Sequence, residues 1–326
     1  MKPFYHINAK SFDEAVSLLK QYGDKAKVMG GGTDLIVELR ERCIEANTVP
    51  PKQPQYLINL KTIPNADYIV ESEGVLKIGA LAKLHSIEMS SLVQQKYLLL
   101  AQAAHAVGSY QIRVMGTIAG NICQDVRCWY YRKKQFYCLR KGGAICYAVA
   151  GRNDMMHSIF GGPAGCFATN QSDMATALTA LEASIVTTER TIAIKDFFIN
   201  TGPGNVLKPD EIIKEILVPP VETNTKQIYI HWRPIKSRGF GIINVAAALT
   251  MSGTTCTAAK IALGGVAPTP VRAKAAEDEI KGKTINETTA EAAAAKAVTG
   301  AVALAYNKWK IAATKGIVKK TILACV

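Results

Sequence analysis

Half of the chain's eight cysteines fall in one short stretch: Cys128, Cys138, Cys146 and Cys166. Thiolates gathered this way suit a metal ion or a metal–sulfur cluster, because a reducing compartment keeps them out of disulfides. They follow a glycine-rich run, Gly116-Thr117-Ile118-Ala119-Gly120-Asn121. A second run, Gly30-Gly31-Gly32-Thr33-Asp34, lies near the N-terminus. Glycine lets backbone approach a phosphate closely, and the N–H groups that open a helix favour its negative charge. Loops and thiols together describe a redox protein with a nucleotide-type cofactor and an inorganic centre.

Spacing decides how much each signal says. The first run lacks the third glycine of the dinucleotide fingerprint and the Gly-Lys-Ser/Thr of a triphosphate loop. Alone it reads equally well as a tight turn. The second run repeats the device, and two such loops can cradle two phosphates from different sides. The four cysteines are separated by nine, seven and nineteen residues. Structural zinc sites usually pair cysteines two to four residues apart, so this spacing disfavours a zinc knuckle without excluding zinc. An iron–sulfur cubane also takes four thiolates, and a long loop can wrap it. Cys123 is a fifth candidate that spacing does not rank. Cys43, Cys256 and Cys325 lie elsewhere and are expected as buried or exposed thiols. Among five histidines only His157 falls inside the cysteine stretch, where it reads as a hydrogen-bonding loop residue ahead of a ligand. No nucleophile–base pair is evident, so redox chemistry would belong to cofactors.

The elements that must position these residues follow from periodicity. Residues 12–22 read as a helix capped by Ser11. Residues 26–29 read as a strand entering the first glycine loop, and 35–43 as the helix leaving it, with Thr33 or Asp34 near its start. A proline-rich loop is expected at 48–54, strands at 56–60 and 75–81, and a helix at 95–107. Residues 122–172 show little periodicity and read as an elaborated loop whose order depends on a metal centre. A helix at 174–183 follows, with Ser172 or Asp173 as cap, then a hairpin within 184–198. The strand ending at Pro219-Pro220 closes the first part. Beyond a boundary near 222–227, strands are expected at 228–235, 241–251 and 257–264, with helices at 270–281, 287–299 and 301–314. This is an α+β arrangement.

Composition narrows the class. The 326 residues suffice for two domains, and 48% hydrophobic content supports a large core. The opening residues lack the apolar core of a signal peptide, and no apolar run reaches membrane-span length. The expected location is therefore cytoplasmic. The net charge is +13. Residues 127–152 hold Arg127, Arg132, Lys133, Lys134, Arg140, Lys141 and Arg152 with no acidic residue. Interleaved Trp129, Tyr130, Tyr131, Phe136 and Tyr137 would suit nucleic acid. An anionic thiolate cluster, or an acidic partner protein, accounts for the cations better, and no nucleic-acid partner is expected.

Five collinear motifs resemble one family: the FAD-binding medium subunits of molybdenum hydroxylases, the xanthine dehydrogenase and carbon monoxide dehydrogenase group. "VMGGGTDLIVELR" and "IRVMGTIAGNI" resemble its two flavin loops. "SDMATAL" and "DEIIKEILVPP" resemble later segments of its flavin domain, and "ALGGVAPTPVRAKAAE" its C-terminal domain. The resemblance covers almost the whole chain. It implies a two-lobed FAD-binding domain of the vanillyl-alcohol-oxidase (PCMH) type at 1–222, with lobes at about 1–57 and 58–222. A small α+β C-terminal domain, a three-stranded sheet with helices, would occupy 223–326. It implies FAD contacts from Val28, Met29, Gly30, Gly31, Gly32, Thr33, Asp34 and Leu35, and from Thr117, Ile118, Ala119, Gly120 and Asn121. Asp173 matches a flavin-contacting position; Ile213 and Arg233 match nearby ones by a looser alignment. Arg233 stands where relatives often carry lysine, and a cation there would stabilise a reduced, anionic flavin. Ala119 replaces a common second glycine.

The cysteine stretch, at about 122–170, interrupts a region that most of the family crosses quickly. It resembles the insertion of the 4-hydroxybenzoyl-CoA reductase β subunit and of the periplasmic aldehyde oxidoreductase flavoprotein, which carry an extra [4Fe-4S] cluster. That resemblance implies Cys128, Cys138, Cys146 and Cys166 as ligands and leaves Cys123 out. The longer last spacing sets Cys166 apart from the pattern. The chain itself has neither [2Fe-2S] spacing nor a recognised molybdopterin site. The resemblance therefore implies a large molybdenum-cofactor subunit and a small subunit with two [2Fe-2S] clusters as partners, as a dimer of heterotrimers. It also implies an external electron carrier such as ferredoxin or NAD(P). The direction of electron flow stays open, as in a reductive enzyme fed by ferredoxin. Two other classes remain in view: an assembly subunit whose cysteine loop holds zinc, and a stand-alone flavin oxidase.

Overall fold

Ser11 opens the first helix by accepting a hydrogen bond from the Glu14 N–H through its hydroxyl. The computed structural model describes residues 2–41, 53–162, 165–200, 204–235 and 239–326. Cys43 and the expected proline-rich loop as far as residue 52 lie outside them.

The first lobe runs β1 (Tyr5–Asn8), α1 (Phe12–Tyr22), β2 (Ala26–Met29), α2 (Leu35–Glu41) and β3 (Tyr56–Asn59). The strands form a parallel sheet in the order β1-β3-β2. Parallel neighbours need a crossover, and α1 supplies one, burying Ala15 and Leu19 against Ala26 and Ile58. Because β3 is the central strand, this sheet continues past the expected lobe division at residue 57.

The second lobe contains β4 (Ile69–Ser72), β5 (Val75–Gly79), α3 (Leu84–Met89), α4 (Ser91–Lys96), α5 (Leu98–Ala106), α6 (Tyr110–Met115) and α7 (Ile118–Ile122). The cysteine stretch follows and is largely irregular, with a 3-10 turn at Leu139–Lys141 and a short helix, α8 (Tyr147–Ala150). Then come α9 (Asp173–Ala180), β6 (Ser184–Thr187), β7 (Thr191–Ala193), α10 (Ile194–Phe197) and β8 (Ile213–Val218). The antiparallel sheet has the order β4-β5-β8-β6-β7. Strand β8 ends where Pro219 removes the next ladder donor.

The last part contains β9 (Thr225–Trp232), β10 (Ile243–Ser252), β11 (Thr255–Gly264), β12 (Val271–Arg272), α11 (Lys274–Ile280), β13 (Lys283–Thr284), α12 (Glu287–Ala297) and α13 (Trp309–Leu323). Three long antiparallel strands, β9-β10-β11, carry two-residue edges. Strand β10 is buried on both faces, and alternation assigns them. Val245, Ala247 and Leu249 face α11–α13, whereas Ala246 and Ala248 join the core of the second lobe. Small residues on that second face let α9 lie close: a Cβ on Gly264 would sit 2.0 Å from Thr176 Oγ1. Every residue of α9 is buried.

One expected helix is displaced. Residues 301–308 are not helical; the last helix is α13. Tertiary pairing overrides the alanine-rich propensity of this segment. The Val302 N–H donates to Ile159 O (2.6 Å), the Tyr306 N–H donates to Asn153 Oδ1 (2.9 Å), and the segment straps the cysteine stretch.

Candidate functional site

The two glycine loops meet face to face. A Cβ on Gly31 would lie 2.1 Å from Met115 O, and one on Gly30 would lie 2.8 Å from Thr117 Oγ1. Gly32 has φ of +73°, which a side chain would strain. Thr117 caps α7 by accepting from the Gly120 N–H (3.2 Å). Absent side chains thus create the seam, and residues of both loops line two cavities.

The smaller cavity, about 300 Å³, is lined by Val28, Met29, Gly30, Gly31, Gly32, Thr33, Asp34 and Leu35 from the first loop. Thr117, Ala119, Gly120 and Ile213 complete the expected set there, and Cys123 joins them. The larger, about 1040 Å³, is lined by Asn121, Arg127, Gln171, Asp173 and Phe240, among others. Thr33, Asp34, Thr117, Gly120 and Gln124 line both. The pair, joined by these shared residues, is of the size that organic cofactors use. Gln171 Oε1 and Arg127 Nε are buried without a hydrogen-bond partner, and both residues line the larger cavity. Buried orphans are costly, so these two fit a polar ligand that completes them.

Ile118 sits apart from the rest of its loop. Its side chain is fully buried in the second-lobe core and lines neither cavity. Asp173 does not cap its helix; Ser172 does, accepting from the Ala175 N–H (2.9 Å). Asp173 Oδ1 instead accepts from the Tyr229 hydroxyl (2.8 Å) and pairs with His231 Nδ1 (2.7 Å). Arg233 also lines neither cavity; it donates to His231 Nε2 (2.7 Å) and Gly239 O (2.7 Å). A guanidinium only donates, so His231 Nε2 accepts and the ring proton sits on Nδ1, facing Asp173. Burial, with Asp173 adding, holds the Tyr229 phenol well above its ordinary value. Tyr229 and His231 were missed at the sequence level. Their two-residue spacing on a strand was the available signal, since it puts Tyr229 and His231 on one face, with Arg233 just past the strand's end.

Asp34 faces the cysteine stretch as well as the cavities. It pairs with Arg127 (2.8 Å) and Arg132 (3.0 Å) and accepts the Asp125 N–H (2.8 Å). Asp125 in turn pairs with Arg140 (3.1 Å) and accepts the Tyr131 hydroxyl. Arg140 reaches the cysteines.

Cys128, Cys138, Cys146 and Cys166 all line one narrow cavity of about 10 Å³, with Tyr130, Tyr131, Arg140 and Tyr147 in its walls. Cys123 does not. Burial pushes the Cys128 thiol up to about 12, with Cys138 and Cys166 adding to it. Burial also raises Cys166, which Arg140 partly offsets. Burial thus favours the protonated form of Cys128 and Cys166; iron or zinc would supply the charge that deprotonates them. Among the described residues no three His, Cys, Asp or Glu side chains are grouped to hold a single metal ion. Four thiols lining one cavity are the donor set that either zinc or an iron–sulfur cubane takes. His157 is fully buried, with Nε2 3.3 Å from Cys128 Sγ. Burial, with Lys310 adding, lowers its imidazole to about 4. Cys256 and Cys325 are buried in the C-terminal core.

A seam of two glycine loops between two cavities, in this three-sheet frame, is a site of the size that an organic cofactor occupies. Residues 2–221 match the FAD binding domain in molybdopterin dehydrogenase, and 233–313 match the CO dehydrogenase flavoprotein C-terminal domain. The chain belongs to this family. It is 31% identical to the aldehyde oxidoreductase FAD-binding subunit PaoB of Escherichia coli, over 86% of each chain. It is 27% identical to the nicotinate dehydrogenase FAD-subunit of Eubacterium barkeri, over 90% of this chain and 84% of that one. Among solved structures, the carbon monoxide dehydrogenase of Hydrogenophaga pseudoflava that lacks the Mo-pyranopterin moiety superposes with a TM-score of 0.78 at 27% identity. That match covers 99% of this chain and 97% of the other. No described helix is long and apolar enough to cross a membrane.

Proposed function

We propose that this chain is the FAD- and [4Fe-4S]-carrying electron-transfer subunit of a cytoplasmic, heteromeric molybdenum-containing dehydrogenase. The observation that carries the reading is the meeting of Cys128, Cys138, Cys146 and Cys166 around one cavity. A polar chain, Asp34–Asp125–Arg140, joins that cavity to the flavin loops.

FAD would be held by residues 28–35, by Thr117, Ala119, Gly120 and Asn121, and by Asp173 and Ile213. It supplies one- and two-electron chemistry, so it can join a two-electron substrate reaction to one-electron carriers. The protein's part is to shape and dry the site. Gly30 and Gly31 admit the close seam, Asp173 orients His231, and His231 fixes Arg233 at the edge. Cys128, Cys138, Cys146 and Cys166 would hold the cluster, with Arg140 offsetting its negative charge.

Substrate chemistry would sit on partners, since medium chains of carbon monoxide dehydrogenase are among the relatives. A large molybdenum subunit and a small [2Fe-2S] subunit are the expected pair. The exposed Lys133 and Lys134 suit an acidic external carrier protein such as a ferredoxin.

The test is anaerobic purification with iron, sulfide, zinc and flavin quantified, then EPR of the reduced protein. About four irons and one flavin per chain, with a reduced-cluster signal, is the expected result. Equimolar zinc without iron would replace the cluster by a structural metal and leave the flavin assignment standing.

A further inference from the structure

His157, outside the cysteine cavity, places its Nε2 3.3 Å from the Cys128 sulfur. We propose that His157 is a positioning residue that donates a hydrogen bond from Nε2 to the Cys128 sulfur, raising the reduction potential of the bound cluster. The inference rests on the cluster reading above.

The geometry holds His157 by its backbone and by its ring. Its backbone carbonyl accepts from Lys310 Nζ (3.1 Å) and Asn307 Nδ2 (3.3 Å), both supplied by the C-terminal domain. Its strand-like pairing with Ala168 ties it to the segment that follows Cys166. Its ring packs edgewise on Trp129, centroids 5.1 Å apart, with Tyr130 at 6.2 Å. Nε2 is 3.3 Å from Cys128 Sγ, and Nδ1 is buried with no partner. A neutral imidazole has one proton to place. On Nε2 it meets a sulfur acceptor; on Nδ1 it would be a buried donor with nothing to receive it. The proton therefore belongs on Nε2.

A cluster gains one negative charge on reduction, spread partly onto its thiolate sulfurs. A donor aimed at one sulfur in a dry, aromatic-walled site stabilises the reduced form more than the oxidised one. Outer hydrogen bonds of this kind tune metal centres without touching the metal.

The test is an EPR-monitored redox titration of the anaerobically purified full chain, compared with His157→Leu and His157→Gln. His157→Leu should lower the cluster midpoint by about one tenfold step in the reduction equilibrium, ~59 mV for a one-electron couple. His157→Gln, which keeps an N–H donor, should recover at least half of that shift. An unchanged midpoint in the leucine variant, or a glutamine variant that falls as far, overturns the proposal. Should the leucine variant lose iron, pulsed EPR of wild-type protein carrying ¹⁵N-histidine decides instead. A weak nitrogen coupling supports the hydrogen bond; no coupling, or the strong coupling of an iron-bound nitrogen, overturns it. Wild-type protein without iron would instead mean that the cluster reading itself has failed, and this inference with it.

Discussion

At the scale of single residues, the flavin seam is made of atoms that are missing. Gly31 has backbone against it, and backbone has nowhere to go. Gly30 has only the Thr117 side chain against it, whose hydroxyl can yield at the cost of its cap on α7. Overpacking costs about 1–3 kcal/mol, and more where the neighbour is rigid. Gly31→Ala should therefore lose most of its flavin through gel filtration and melt earlier, while Gly30→Ala keeps the larger share; the flavin-to-protein ratio measures both. Asp173 is a second test. Asp173→Ala strands the Tyr229 hydroxyl and His231 Nδ1, at about 1–3 kcal/mol for each buried group left unpaired. Asp173→Asn keeps an oxygen in the same place and should lose clearly less in urea unfolding. Equal losses would show that the carboxylate charge, and not the acceptor, holds this corner. The glycine loops and the position of Asp173 were legible in the sequence because motif and spacing are local. Its partners were not, because β9 reaches α9 only through tertiary packing.

At the scale of elements, α13 does more than cover a sheet. Lys310 is fully buried near its start, and its amine donates to Met155 O (2.9 Å), His157 O (3.1 Å) and Gly265 O (2.5 Å). Burial pulls the amine from 10.5 down to about 7. The sign follows from linkage: between those values the unfolded chain holds a proton that the folded chain has released, so stability rises with pH. Wild type should gain on Lys310→Met as pH is raised from about 7 to about 10, read as the difference in melting temperature at each pH. Parallel curves would remove Lys310 from the pH dependence. This helix was expected at 301–314, from alanine-rich periodicity, and lies at Trp309–Leu323. Residues 301–308 have helical propensity but strap the cysteine stretch, a demand that no local pattern announces. The helix at Phe12–Tyr22 and the strand ending at Val218 were legible because Ser11 and Pro219 act on their own neighbours.

At the scale of the whole molecule, separate lobes share one electrostatic plan. Asp34 on the flavin loop, Asp125 and Arg140 on the insertion, and Cys166 beyond them form a line joining two cavities. The long sequence separations of its members hid that line, although each member could be named. Outside it, the chain carries net charge +13, and part of that excess is exposed at Lys133 and Lys134, where the larger cavity opens. Exposed cations act through the field, speeding the approach of an acidic carrier rather than strengthening its final contacts. Reversing both, Lys133→Glu with Lys134→Glu, should slow electron exchange with an acidic redox protein by about tenfold at low salt. The gap should close toward 1 M salt, where the Debye length falls to about 3 Å and the field no longer reaches the partner. Neither lysine lines the cysteine cavity, so iron content should match wild type; both line the larger cavity, so the flavin-to-protein ratio is measured first and rates are compared per bound flavin, which separates docking from cofactor loss. Stopped-flow rates across a salt series provide the measurement. Equal rates for both proteins at low salt would mean that the carrier approaches another face, and that these cations serve only the solvated surface.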